Sequence, residues 1–191
     1  MERRNEAVQK TWVRIISTMM ILAIMGMIFL FSTEPAEQSD ATSGQIAAWV
    51  ADRLRPEWRS YDPERKQAYY NEVQHVVRKC AHFTEFALLG FSLRFCLESW
   101  LGQERGGEGC DLSDSGSERS RGQGAPRKRL SAAAWLGGTL YACLDEIHQK
   151  LVDGRSGQGT DVLIASAGVL TGVLLFLLLL YLMDRRKRSL L

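Results

Sequence analysis

The chain has 191 residues, of which 46% are hydrophobic and 24% are charged, and its formal net charge is +2. So small a charge, held in clusters at the ends of apolar segments, gives no reason to expect a nucleic-acid partner. The mean hydropathy lies near zero, as in many soluble proteins. That average conceals a strong segregation of apolar and polar stretches along the chain.

Four segments have the length of a transmembrane helix, namely residues 12–31, 80–99, 130–149 and 161–183. The first and last are almost free of charge and can cross a hydrocarbon core of ~30 Å. The middle two carry polar residues near their ends, where Arg94 and Glu98 are expected to reach the interface. Two helices of a soluble domain are the alternative, but neither segment shows a broad polar face. We predict an all-α integral membrane bundle of four transmembrane helices.

Basic residues predict the orientation of this bundle. They lie before or at the start of the first span, between the second and the third, and after the fourth: Arg3, Arg4, Lys10 and Arg14; Arg119, Arg121, Arg127, Lys128 and Arg129; Arg185, Arg186, Lys187 and Arg188. All three regions fall on one face, which the positive-inside rule makes cytoplasmic. Both tails, 1–11 and 184–191, are then cytoplasmic. A cleaved signal peptide is the alternative for the first segment, whose apolar stretch is longer than most signal cores.

The loop between the second and third spans, about 102–126, is rich in Gly, Ser and charged residues. It has too little apolar content to offset the entropy of ordering, so we predict a disordered cytoplasmic insert. The four cysteines show no metal-ligand or disulfide spacing.

The first outer loop contains two apolar stripes at helical spacing. One consists of Ile46, Trp49, Val50 and Leu54. The other runs straight into the second span and consists of Tyr69, Val73, Val76, Val77 and Cys80. Pro56 ends the first stripe, and Asp62-Pro63-Glu64 has the N-cap, proline and acid of a helix start before the second. We expect short amphipathic helices that lie on the outer leaflet, or pack against the top of the bundle, with Trp and Tyr at headgroup level.

Polar residues gather at the outer ends of the second, third and fourth helices: His82, Glu85, Asp145, Glu146, His148, Gln149, Arg155 and Asp161. Lys79 shares a helix face with His82 and Glu85, because the three are spaced three apart. Asp145, His148 and Gln149 share a face of the third helix with Tyr141, and Glu146 points roughly 100° away. Ionisable groups at membrane depth cost at least a few kcal/mol each. We therefore predict that the protein uses this outer cluster for its function.

The loop after the third helix suits an anionic ligand. Gly154, Gly157 and Gly159 surround Arg155 and lead to the start of a helix, where free N–H groups favour anions. Arg155 can grip a phosphate with two hydrogen bonds, and the acids can orient it. Membrane lipids, or a lipid-linked precursor, are the partners that this chemistry predicts.

Three alternatives remain open. The cluster can be a purely structural network that fixes helix packing, with Asp161 or Thr160 capping the fourth helix. It can serve a membrane enzyme, metal-dependent or acid–base, that acts on a lipid-linked substrate. A proton-coupled carrier would use Glu85 and Asp145 as a relay and would need a homodimer. The spacing assigns no catalytic residue, metal ligand or cofactor.

The motifs resemble those of the VanZ-like family of bacterial membrane proteins. They are the stretch from Arg78 to Gly90 (RKCAHFTEFALLG), Asp145-Glu-Ile-His-Gln149, Gly154-Arg155, Asp161, and the Phe31–Ser39 stretch after the first span. The resemblance covers about residues 12–182. Glu34 and Asp153 depart from it, since Gln and Pro are common there. It implies a location in the bacterial cytoplasmic membrane and, from one member associated with teicoplanin resistance, a role in glycopeptide susceptibility.

Overall fold

The computed structural model describes residues 2–34, 36–102, 119–152 and 159–189, and their side chains except at 2–4, 36–40, 42 and 119–126. These residues form five α-helices and one 3-10 helix: α1 Glu2–Thr33, α2 Ala36–Leu54, α3 Pro63–Leu101, α4 Arg119–Gln149, α5 Gly159–Ser189, and the 3-10 helix Pro56–Ser60. The described part of the chain contains no strand. The all-α prediction is confirmed.

Three described helices are long and apolar enough to cross a membrane: residues 5–33 of α1, all of α3, and all of α5. They contain the predicted spans 12–31, 80–99 and 161–183. The fourth predicted span, 130–149, lies in α4, which is not among these three. α4 begins at Arg119, inside the range predicted to be a disordered insert, while residues 103–118 of that insert lie outside the described residues.

The start of α1, the end of α3 and the start of α4 meet at one end of the bundle. Arg14 Nε of α1 donates to the Ser99 carbonyl oxygen of α3 over 3.1 Å. Arg94 Nε of α3 donates to Ser131 Oγ of α4 over 3.1 Å. Because the Arg94 guanidinium also lies 5.3 Å from the Phe176 ring, the last turns of α5 belong to this end. We call it the basic end, after the exposed residues Lys10, Arg127, Lys128, Arg129, Arg185, Arg186, Lys187 and Arg188.

The opposite ends of the same helices meet at what we call the polar end. Ser32 of α1 donates its hydroxyl to Asp145 of α4. Lys79 of α3 forms an ion pair with Asp161 of α5. The four long helices therefore lie side by side, α1 and α4 pointing to the polar end and α3 and α5 to the basic end.

Glycines bring α3 and α5 into backbone contact. A Cβ atom built on Gly172 would lie 1.9 Å from the carbonyl oxygen of Ala87, and one built on Gly90 would lie 2.2 Å from that of Val169. Neither distance leaves room for a side chain, so glycine is required at both positions. Phe86, Leu89, Ala165 and Val169 are buried around this contact and form the core of the bundle.

α3 is one continuous helix of 39 residues. At 1.5 Å per residue it is about 58 Å long, nearly twice the ~30 Å of a hydrocarbon core. The Asp62 side chain caps it by accepting from the backbone N–H of Arg65, as predicted, and no proline follows Pro63 to end it. The second predicted amphipathic piece, which was expected to run straight into the second span, is the N-terminal half of α3.

This N-terminal half, α2 and the 3-10 helix form a hairpin with its own small core. Ala47, Ala51, Trp58 and Val73 are buried in it. Of the predicted α2 stripe, Val50 packs against this core, whereas Ile46, Trp49 and Leu54 are 55–66% exposed and do not make the contact. The smaller alanines on the neighbouring face of α2 let the two helix backbones approach more closely.

The loop side of the hairpin is fixed by the Asp52 carboxylate. Its Oδ1 accepts from Arg59 Nε over 2.8 Å and from Trp58 Nε1 over 2.7 Å, and its Oδ2 accepts from Arg59 over 2.7 Å. The hydrogen bonds from Arg59 first, and then from Trp58, lower the pKa of Asp52 from 3.8 to about 2. The charged form is therefore favoured in the folded hairpin.

We expect this contact to persist at full strength above about pH 4 and to be lost as the pH falls through 2. A carboxyl group whose pKa is lower in the folded than in the unfolded protein adds stability only at pH values at which the unfolded group is already ionised. The indole N–H resonance of Trp58 measures the titration directly. Its midpoint should lie near 2 in the native chain and move upward in Arg59→Gln. A midpoint near 3.8 in both proteins would contradict the assignment.

Candidate functional site at the polar end

A closed hydrogen-bond network joins α1 to α4 at the polar end. Ser32 Oγ donates to Asp145 Oδ1 over 2.5 Å, and Gln149 Nε2 donates to Asp145 Oδ2 over 2.9 Å and to Ser32 Oγ over 3.1 Å. Both Ser32 and Asp145 are buried. Each carboxylate oxygen accepts a hydrogen bond, which offsets part of the cost of burying the group.

The network is positioned by the helical spacing of α4. Asp145 and Gln149 are four residues apart and therefore share one face, which is directed at the last turn of α1. One turn below Asp145, the Tyr141 hydroxyl donates to the carbonyl oxygen of Met25 over 2.8 Å. The predicted common face of Tyr141, Asp145 and Gln149 is thus the face that packs against α1.

His148 and Glu146 flank this network. The His148 ring stacks on Phe29 of α1, with centroids 4.7 Å apart and planes 17° apart. Its Nδ1 atom is buried, and no hydrogen-bond partner for it lies in the described ranges. Glu146 is buried as well, although it lies on a different side of α4 from Asp145. Two adjacent carboxyl groups are therefore held inside the polar end.

The α3 side of the site is built around Lys79 and His82. Lys79 Nζ lies 2.9 Å from Asp161 Oδ1 in the first turn of α5. The His82 ring meets Phe86 edge-on at 4.8 Å, and Phe86 in turn lies 6.2 Å from the Tyr141 ring. This aromatic chain connects the His82 face of α3 to the Asp145 face of α4. Glu85 is half-buried on the same stretch of α3.

The structure thus brings the predicted residues into two groups. Asp145 and Gln149 bond directly to each other, while Asp161 belongs to a separate ion pair with Lys79. Arg155 and the glycines before Gly159 lie outside the described residues. Thr160 donates a hydrogen bond of 3.5 Å to Asp161, and both residues lie inside the first turn of α5, which begins at Gly159.

Two members of these groups are missing from the predicted cluster, Ser32 and Lys79. Ser32 lies in the Phe31–Ser39 stretch on which the family resemblance partly rests, so a signal for it exists. Lys79 shares a predicted face with His82 and Glu85, but its acidic partner is on another helix. Among the described residues, no three His, Cys, Asp or Glu side chains are grouped as metal ligands.

A second polar group lies near the basic end. Arg94 is completely buried, with its Nη1 atom 2.6 Å from Glu98 Oε2 and its side chain against Ser131 and Phe176. The expectation that Arg94 reaches the membrane interface is wrong. The three packed helices α3, α4 and α5 enclose it, and the contact with Glu98 compensates its charge.

Comparison with known proteins gives one match. The family model described as VanZ/LLP1 matches residues 17–180, which include α2, α3 and α4 completely. Searches of curated proteins and of solved structures gave no match. Since the matched range covers most of the chain and contains both polar groups, the chain belongs to the VanZ/LLP1 family.

Proposed function

We propose that this protein is a four-span protein of the bacterial cytoplasmic membrane that binds an anionic lipid, or a lipid-linked precursor, at the outer leaflet. In this role it lowers susceptibility to the glycopeptide teicoplanin. The observation that carries the proposal is the gathering of Asp145, Glu146, Lys79 and Asp161 at one end of a bundle whose other end is basic.

The exposed surface of α4 supports its assignment as the fourth span. Leu136, Leu140, Leu144 and Ile147 are 56–63% exposed along one face, whereas the polar Asp145 is buried. A helix on the surface of a soluble protein has the opposite arrangement, with its polar face outward. Apolar side chains outside and polar ones inside are expected where lipid is the solvent. α4 also lies parallel to α1, which is long and apolar enough to span.

The distribution of charge supports the orientation. The exposed Lys and Arg residues in the last turns of α5 and before the apolar part of α4 all lie at the basic end. The positive-inside rule then directs the basic end to the cytoplasm and the polar end to the outside. Both termini are cytoplasmic in this arrangement.

The polar end contains a cation that can bind an anionic guest. Lysine and arginine side chains commonly bind phosphate groups. Lys79 lies at this end, and Arg155 lies in the segment that links α4 to α5. The Asp161 carboxylate compensates the charge of Lys79 when no ligand is bound. A lipid phosphate supplies the same negative charge and comes from the leaflet that surrounds the site. Glycopeptides act on precursors outside the cell, on the same side of the membrane.

The proposal is tested by teicoplanin susceptibility in a sensitive Gram-positive host. We expect the native chain to raise the minimal inhibitory concentration, and Arg155→Ala and Asp145→Asn each to remove most of that increase. Lys150→Ala is the matched control, since it removes one exposed charge just beyond the end of α4. Each variant must reach the membrane at the native level. Full protection by both site variants would overturn the proposed function.

A further inference from the structure

An open cleft lies between α3 and α5 near the polar end. Its volume is about 460 Å³, within the ~300–1,000 Å³ typical of small-ligand sites. The lining residues are Val76, Lys79, Cys80, Phe83 and Thr84 of α3 and Ile164 of α5. The surface they present is almost entirely apolar, and Lys79 is its one charged member.

The packing of the two helices determines where this cleft lies. A Cβ built on Gly168 would lie 2.5 Å from the carbonyl oxygen of Phe83, so the backbones touch at that level. Ile164 lies one turn closer to the polar end than Gly168. The cleft therefore begins where the close glycine contact ends, and it opens on the exposed surface of the bundle at Val76, Cys80 and Thr84.

The charge in the cleft belongs to the ion pair of Lys79 and Asp161, in which an anionic ligand can take the place of Asp161. Lys79 and Asp161 are 2.9 Å apart, with side chains that are 28% and 27% exposed. A pair so open to its surroundings is weak, because the surrounding medium screens its charges. A phosphate can replace the Asp161 carboxylate as the partner of Lys79 with a charge-assisted contact of similar geometry.

We propose that the cleft binds an anionic phospholipid, with its hydrocarbon chain along Phe83, Thr84 and Ile164 and its phosphate on Lys79. The proposal rests on the proposed function, and it specifies the ligand class and its position. A zwitterionic lipid carries a cationic group beside its phosphate, and Lys79 repels that cationic group. The cleft therefore selects for net negative charge as well as for a chain.

The test is competitive retention of phosphatidylglycerol and phosphatidylcholine by the full-length protein, measured by native mass spectrometry. We expect the native protein to prefer phosphatidylglycerol. Lys79→Met should reduce this preference about tenfold, which corresponds to the loss of a charge-assisted contact of about 1.4 kcal/mol. Asp161→Asn should increase retention, because it frees Lys79 from its acidic partner.

Two further variants separate the cleft from general attraction between charges. Cys80→Phe fills the cleft and leaves every charge in place, so it should also abolish the preference. Lys150→Met removes an exposed charge near the same end and should leave the preference unchanged. An unchanged preference in Lys79→Met or in Cys80→Phe overturns the proposal, and so does an equal loss in Lys150→Met.

Failure here is distinguishable from failure of the proposed function. If Arg155→Ala abolishes teicoplanin protection while Lys79→Met keeps the lipid preference, the ligand lies elsewhere at the polar end. If the lipid preference depends on Lys79 but neither Arg155→Ala nor Asp145→Asn affects protection, the cleft binds lipid without the proposed role in susceptibility.

Discussion

Replacing Gly172 with alanine is expected to destabilise the protein by about 3 kcal/mol, near the upper limit for overpacking a core. The new Cβ would lie 1.9 Å from the carbonyl oxygen of Ala87 and 2.6 Å from the backbone nitrogen of Phe91. Both atoms belong to the backbone of α3, so no side-chain rotation can make room. α3 and α5 must move apart, and the buried contacts of Phe86 and Val169 are lost with them.

The thermal unfolding midpoint of the detergent-solubilised protein measures this effect. Gly137→Ala and Gly26→Ala are the matched controls, since a Cβ at either position meets no atom within 4 Å. Alanine is also the better helix former by up to about 1 kcal/mol, so the controls should be neutral or slightly stabilised. If Gly172→Ala unfolded at the same temperature as Gly137→Ala, the close approach of α3 and α5 would be contradicted.

The contact between α3 and α5 shows that hydropathy can predict a span without predicting which of its faces packs. The apolar run of α5 predicts a span, and the structure has a helix there that is long and apolar enough. Hydropathy is nearly uniform around such a helix, so it does not reveal which face packs. Gly168 and Gly172 are four apart, the spacing by which membrane helices approach closely, and they mark the α3-facing side. That signal is present in the sequence and is not used in the prediction.

Local chemistry predicted the start of α3 better than it predicted tertiary pairs. The Asp62 cap, Pro63 and Glu64 act within a single turn, and the helix begins where they indicate. The partner of Asp161 depends instead on the relative rotation of two helices that are distant in sequence. For this reason Lys79 is absent from the predicted cluster, although its own helix face was identified correctly.

The motif residues of α4 could be predicted from the sequence in part. Asp145 and Gln149 were predicted to share a face, because a spacing of four residues requires it. The direction of that face, toward Ser32 of α1, depends on how α1 and α4 pack and becomes visible only in the structure. Spacing thus identified the side chains of the network on α4, and packing supplied the remaining member.

Replacing Glu98 with glutamine is expected to cost more stability than replacing Arg94 with methionine, and on the order of 3 kcal/mol. Glu98 is the acidic contact of a guanidinium that has no exposed surface. Without the carboxylate, that positive charge stays enclosed near the Phe176 ring and a single hydroxyl, that of Ser131. Arg94→Met removes the buried charge and keeps an unbranched apolar side chain of related shape.

The reason for this order is the unequal burial of the two partners. The Glu98 side chain is 27% exposed and lies one turn from the end of α3, so it can be solvated after Arg94 is removed. Arg94 cannot turn toward water, because α4 and α5 cover it. The double variant should therefore be closer in stability to Arg94→Met than to Glu98→Gln, a non-additivity that a double-mutant cycle detects.

Thermal unfolding of the four proteins in one detergent measures this cycle, with Glu72→Gln as a control on an exposed turn of the same helix. We expect that control to behave like the native chain. A larger loss in Arg94→Met than in Glu98→Gln would show that the guanidinium stabilises the bundle mainly through Ser131 and Phe176. Additive losses in the double variant would show that the 2.6 Å contact contributes no coupling, and that Arg94 is compensated by other groups at the basic end.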